Sequence, residues 1–155
     1  MDYHLLEWTH IISSTIMFGT GIGSAFFMFM ANRRKDIAGI YFATRHVVIA
    51  DWIFTTPSII IQFITGIALA HITGYELFDG WVLWALVLYF FVGACWLPVV
   101  WMQIKMRDMA KEALDNKTEL PALYWRMDLW WIILGSLAFL AVVLLFWLMV
   151  FKPEV

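Results

Sequence analysis

Four apolar runs, each long enough to cross a bilayer, dominate this chain and leave few folds open to it. They are Leu5–Met30, Val47–His71, Trp81–Met102 and Trp130–Phe151. A hydrocarbon core of about 30 Å takes about 20 apolar residues as helix. Within it, each backbone N–H and C=O has to be satisfied inside the spanning structure. Four such runs in 155 residues, joined by short linkers, predict an all-α transmembrane up-down four-helix bundle, a single domain over 1–155. Composition agrees, with 63% hydrophobic and 14% charged residues against roughly 45–50% and about 25% in soluble domains. A net charge of −2 leaves no footprint for nucleic acid.

The charges also predict an orientation. Arg33, Arg34, Lys35 and Arg45 fall in the first loop, and Lys105, Arg107, Lys111, Lys117 and Arg126 in or beside the third, leaving only Lys152 elsewhere. The positive-inside rule assigns that side to the cytoplasm, so both termini and the loop Thr73–Asp79 face outward. The expected location is the bacterial inner (cytoplasmic) membrane, crossed several times. The opening Met1-Asp2-Tyr3-His4 has no basic n-region, so the first span serves as its own insertion signal. Trp8, Trp81, Trp101, Trp125 and Trp147 near span ends fit an aromatic belt. The third and fourth spans are predicted to run on as helix through Lys105–Leu114 and back from Tyr124, with a break at Asp115–Pro121.

Span two carries Asp51, Thr55, Ser58, Gln62 and Thr65 at spacings of four, three, four and three. On a helix these make one stripe, and in a membrane a polar stripe faces the bundle interior. It serves either as hydrogen-bonding glue between helices or as the lining of a cavity for a cofactor, a quinone or an ion. Asp51 is expected to pair with Arg126 or Arg107. Pro57 frees the carbonyl four residues earlier, which predicts a kink near Ile53–Phe54. In span one, Gly19 and Gly23 form a GxxxG pair that would let a second helix, or a flat ring, approach the backbone.

Histidine position points to a ligand site. His10 lies 22 residues from the boundary at Asn32, and His71 lies 24 from Val47, roughly 33 and 36 Å along their helices. The two imidazoles therefore share a level near the outer face, where facing helices of a bundle hold the axial ligands of a haem. His46 begins span two at the opposite side, and His4 belongs to the N-terminal tail. A Cys-x-x-Cys-His motif is absent, so any haem would be non-covalent. Met102, Met106 and Met109 form a row of thioethers suited to Cu(I), although Met also serves as a core gap-filler. Cys95, alone in an apolar run, reads as a packing residue.

The words Leu6-Glu7-Trp8-Thr9-His10-Ile11-Ile12, Arg45 to Trp52 with Thr55-Thr56-Pro57, Gly93-Ala94-Cys95-Trp96-Leu97-Pro98 and Tyr124-Trp125-Arg126 run along nearly the whole chain. They resemble an uncharacterised family of bacterial predicted four-helix integral membrane proteins of this length. The first span is also distantly similar to HemJ-type protoporphyrinogen oxidases and CopD-like membrane domains. The HemJ-type resemblance implies haem b and electron flow to a membrane acceptor, with His10 the one residue carried over by motif. That family's third span bears a lysine and a histidine, whereas Trp81–Met102 contains neither, so porphyrinogen oxidation is not implied. The CopD-like resemblance implies copper handling.

The leading expectation is a small b-type haem-binding redox protein. His10 and His71 are its axial candidates, with Gln62, Gly19 and Gly23 around the cofactor and a carboxylate such as Glu7 beside the propionates. The alternatives are an accessory subunit or assembly factor of a larger membrane complex, and a copper-handling or transport protein using His46, Met102 and Met106. The expected partners are the lipid bilayer, a quinone or other redox partner, and a second copy or larger complex. No residue is assigned to catalysis.

Overall fold

A computed structural model describes residues 2–153. Four long helices account for almost all of them: α1 (Tyr3–Arg34), α2 (Ile37–Ile72), α3 (Gly80–Asn116) and α4 (Ala122–Phe151). All four are long and apolar enough to cross a membrane, and strands are absent among the described residues. At 1.5 Å per residue α3 is about 55 Å long, well beyond the hydrocarbon thickness. Its last turns, from Lys105 onward, therefore stand as helix in the polar region, as expected. Large side chains such as Phe27, Phe90, Leu97, Leu140 and Val150 are exposed around the bundle. In a membrane this surface meets lipid chains rather than water.

Local chemistry sets the helix ends. Asp2, Asp36 and Asp79 cap the starts of α1, α2 and α3, accepting from the backbone N–H of His4, Gly39 and Gly80, a partner for donors that the first helical turn leaves free. Three helices close on a lysine in the left-handed region, at Lys35 (φ 57°), Lys117 (φ 53°) and Lys152 (φ 43°). Each puts a cation at the negative end of a helix dipole at the cost of a conformation that suits glycine better.

The first connection is shorter than hydropathy suggests. The turn is only Lys35-Asp36, Arg33 and Arg34 sit in the last turn of α1, and Arg45 lies within α2. The stretch Ile37–His46 is amphipathic enough to look like loop to a hydropathy window. It is held as helix by burying Ile40, Ala43 and Thr44. The interruption caused by Pro57 falls one turn before it, as a π-helical segment over Asp51–Thr55. The N–H of Thr56 bonds to the carbonyl of Asp51, five residues back, which absorbs the extra residue that a proline-broken ladder leaves over.

Packing is tight at one end and looser at the other. At the basic end, Met28, Ile40, Val47, Val99, Met102, Met106, Ala110, Tyr124 and Trp131 make one core drawn from all four helices. A polar clamp closes it: Asn32 Nδ2 donates to Asp128 Oδ1 at 2.7 Å, and the Tyr124 hydroxyl donates to Asn32 Oδ1 at 2.7 Å. Away from that end, the far half of α2 (Thr56–Ile72) lies along α1, while α3 lies along α4. Between the two hairpins the separation is crossed mainly by aromatic side chains. Phe63 packs on Tyr89 and Phe90, Phe18 packs on Phe139 and Phe146, and the Tyr89 hydroxyl donates to the Ile59 carbonyl at 3.0 Å. The space left beside these bridges forms two cavities.

Candidate functional site

The first cavity, of about 560 Å³, lies in the looser half and is lined by His10, Gln62, Gly66, Tyr89, Trp81 and Lys152 among others. The second, of about 580 Å³, lies nearer the basic end and is lined by Asp51, Thr55, Gln103, Trp131, Trp96 and Gly135 among others. Both are of the size that holds a small ligand or cofactor. They share walls at Met17, Ile59, Val92, Trp96 and Val142.

His10 is held by the polar stripe of α2. Its Nδ1 lies 2.7 Å from Thr65 Oγ1, and that hydroxyl lies 2.6 Å from the Ile61 carbonyl, to which it donates. With its one proton so used, Thr65 offers His10 a lone pair, and the network assigns the imidazole proton to Nδ1. Nε2 is then left with a free lone pair. The ring sits against Gly66 of α2: a Cβ built there would stand 3.3 Å from His10 Cε1. Gln62 completes the arrangement, its amide donating to Ser13 Oγ at 2.5 Å and to the His10 carbonyl. Thus α1 and α2 are joined through His10, Ser13, Gln62 and Thr65, and the first two of these make the span-one side of a contact that the stripe implied but did not specify.

Asp51 is buried, 5% exposed, and its partner is an amide. Gln103, with its amide oriented by its neighbours, donates to Asp51 Oδ2 at 2.7 Å and accepts from Trp131 Nε1 at 3.2 Å. The expected ion pair with Arg126 or Arg107 does not form. Arg126 is exposed, and Arg107 pairs with its neighbour Asp108 at 2.7 Å. The reason is position along the helix. Asp51 lies level with Ala25 and with Trp131, Ile132 and Gly135, residues that line the same cavity, and Arg126 is more than a turn of α4 nearer the end.

A family model described as "Predicted integral membrane protein (DUF2269)" matches residues 4–153. The chain belongs to this family. Neither a curated protein nor a solved structure matches it. The family's description agrees with four membrane-crossing helices in lipid and assigns no reaction, and a HemJ-type or CopD-like relation is not shown by these comparisons.

For this family member, the remaining sequence-derived candidates scatter. His71 is exposed at the end of α2 and does not line the cavity that His10 lines. Gly19 and Gly23 line neither cavity, and a Cβ on either would meet nothing within 4 Å. The GxxxG pair therefore packs against no helix among the described residues. His46 is exposed, its Nδ1 2.7 Å from the Phe42 carbonyl. Met102 and Met106 are buried in the apolar core beside Met28, the gap-filling role, and Cys95 is buried and free. Among the described residues, no group of three or more His, Cys, Asp or Glu gathers to hold a metal ion. Gln103, Trp131 and the clamp of Asn32, Tyr124 and Asp128 were not singled out by sequence reasoning. Gln103 had a weaker signal, an amide one residue past Met102, just beyond the predicted end of span three.

Proposed function

We propose that this integral membrane protein is a small b-type cytochrome-like redox protein, with His10 Nε2 as the axial ligand of a haem in the first cavity. The observation that carries this reading is the Thr65 hydroxyl. Because it already donates to Ile61, it fixes the His10 proton on Nδ1 and leaves Nε2 unprotonated on a ring lining a cavity of about 560 Å³. Histidines that bind metals are held in this way, by a hydrogen bond to the other ring nitrogen.

The rest of the lining suits the group. Ile67, Leu86, Phe90 and Leu145 supply apolar wall for a macrocycle, and Lys152 brings a cation to the mouth, its Nζ 5.9 Å from the ring centres of Tyr75 and Trp81. Lys152 is a better partner for propionates than Glu7, which lines the same cavity but carries the same charge as a propionate. Bound haem supplies one-electron chemistry, and the protein supplies ligation, burial and exclusion of water. A lipid-soluble quinone is the partner class that shares the membrane with such a site. The membrane is taken to be the bacterial inner membrane, with the basic end in the cytoplasm.

Absorption spectroscopy tests the reading. Protein purified from haem-supplemented cells is expected to show a Soret band that shifts on dithionite reduction and is lost in His10→Ala. Pure, folded wild-type protein that takes up no stoichiometric haem overturns it.

A further inference from the structure

The second cavity contains an uncompensated acid. Asp51 is buried among apolar walls, its Oδ2 accepts one hydrogen bond from Gln103, and among the described residues no cation pairs with it. Four residues along, Thr55 lines the same cavity, is itself 5% exposed, and its hydroxyl is set beside the Asp51 carboxylate without a well-formed hydrogen bond. Two polar side chains thus stand at one corner of a space of about 580 Å³ whose remaining lining is largely aromatic and aliphatic, including Phe18, Trp96, Trp131 and Phe139. A buried carboxylate without a counter-charge is costly, and a guest that neutralises it removes that cost.

The chemistry of the lining narrows the guest. A hard metal cation needs about six oxygen ligands, and this corner offers one carboxylate and one hydroxyl. Aromatic faces hold organic cations by cation–π attraction, more strongly where water is excluded. Gly21 and Gly135 open the wall between α1 and α4, since a Cβ on either would meet nothing within 4 Å. We propose that the Asp51 cavity binds a lipophilic organic cation, its charge set against Asp51 and its apolar body against Trp96, Trp131 and Phe139. This site does not depend on the haem reading: Asp51 lines only the second cavity and His10 only the first, with Trp96 in the wall they share.

Equilibrium dialysis of the purified full chain in detergent, with radiolabelled tetraphenylphosphonium as the probe, tests it. The expected result is saturable binding of one probe per protein, weakened at least tenfold by Asp51→Asn. Gly135→Phe, which keeps the carboxylate and fills the cavity, is expected to weaken it as much. It carries the test alone if Asp51→Asn does not fold. Tetraphenylborate, of the same shape and opposite charge, is expected not to compete. Equal binding by the wild type and Gly135→Phe, equal binding by a folded Asp51→Asn, competition by tetraphenylborate, or no saturable binding overturns the proposal. The last two outcomes would leave Asp51 and Gln103 to the packing of α2 on α3 alone.

Discussion

At the residue scale, the chemistry of this protein turns on which atom a hydroxyl donates to. Thr65 commits its proton to Ile61 and so favours the tautomer of neutral His10 that carries its proton on Nδ1. Replacing Thr65 by Val keeps shape and removes that acceptor. The Thr65→Val protein is expected to bind haem about 10-fold more weakly or worse, the scale at which outer-shell partners act on metal sites, measured by haemin titration at the Soret band. Unchanged affinity would show that Nδ1 needs no partner there. A second residue-scale prediction concerns the clamp at the basic end. In Asn32→Ala the Tyr124 hydroxyl, on a residue 0% exposed, loses its acceptor, a loss of roughly 1–3 kcal/mol. In the Tyr124→Phe background the same substitution is expected to cost less, a coupling that a double-mutant cycle in unfolding measurements reads directly. The polar stripe of α2 was legible in the sequence because its spacing alone puts five polar side chains on one face. The partners were not, since His10 and Ser13 come from α1 and Gln103, itself held by Trp131 of α4, comes from α3, and spacing within one helix carries no information about them.

At the element scale, the helix ends follow rules that the sequence states only in part. Asp before a helix is a readable start, and Asp2, Asp36 and Asp79 all serve as caps. The ends are less readable, because lysine rather than glycine occupies the left-handed position three times. Glycine loses nothing in that conformation, whereas a residue with a Cβ pays roughly 1–2 kcal/mol there. Lys117→Gly, in the turn between α3 and α4, is therefore expected to raise the thermal midpoint in detergent. The gain is of the order of 1 kcal/mol, reduced by the lost charge–dipole contact. A lowered midpoint would mean that the Lys117 cation outweighs the backbone strain. Hydropathy located the four spans but placed the start of α2 ten residues late. It averages over a window, whereas the helix Ile37–Ala50 is stabilised by a buried face. Pro57 likewise marked where α2 departs from regularity without saying that the departure takes the form of a π segment.

At the scale of the whole molecule, two hairpins are tied firmly at the basic end and bridged by aromatic rings elsewhere, and this difference gives room for two cavities. The charge asymmetry that marks the tied end also predicts how the bundle is inserted. Arg33, Arg34, Lys35, Arg45, Lys105, Arg107, Lys111, Lys117 and Arg126 all lie toward that end, and the opposite loop carries Glu76 and Asp79. Moving such a cluster across a membrane is opposed by the potential as well as by desolvation, so the loop between α3 and α4 is expected in the cytoplasm and the loop Thr73–Asp79 outside. Cysteine labelling separates the two orientations. Cys95 is buried and can be replaced by Ala, which leaves single thiols at Glu76→Cys or Asp115→Cys, both at exposed positions. In intact spheroplasts a membrane-impermeant maleimide is expected to label the Glu76→Cys protein at once and the Asp115→Cys protein only after permeabilisation. The reverse pattern would put the His10 cavity near the cytoplasmic face and the clamp at the outer one. Any electron partner of His10 would then have to be sought on the other side of the membrane.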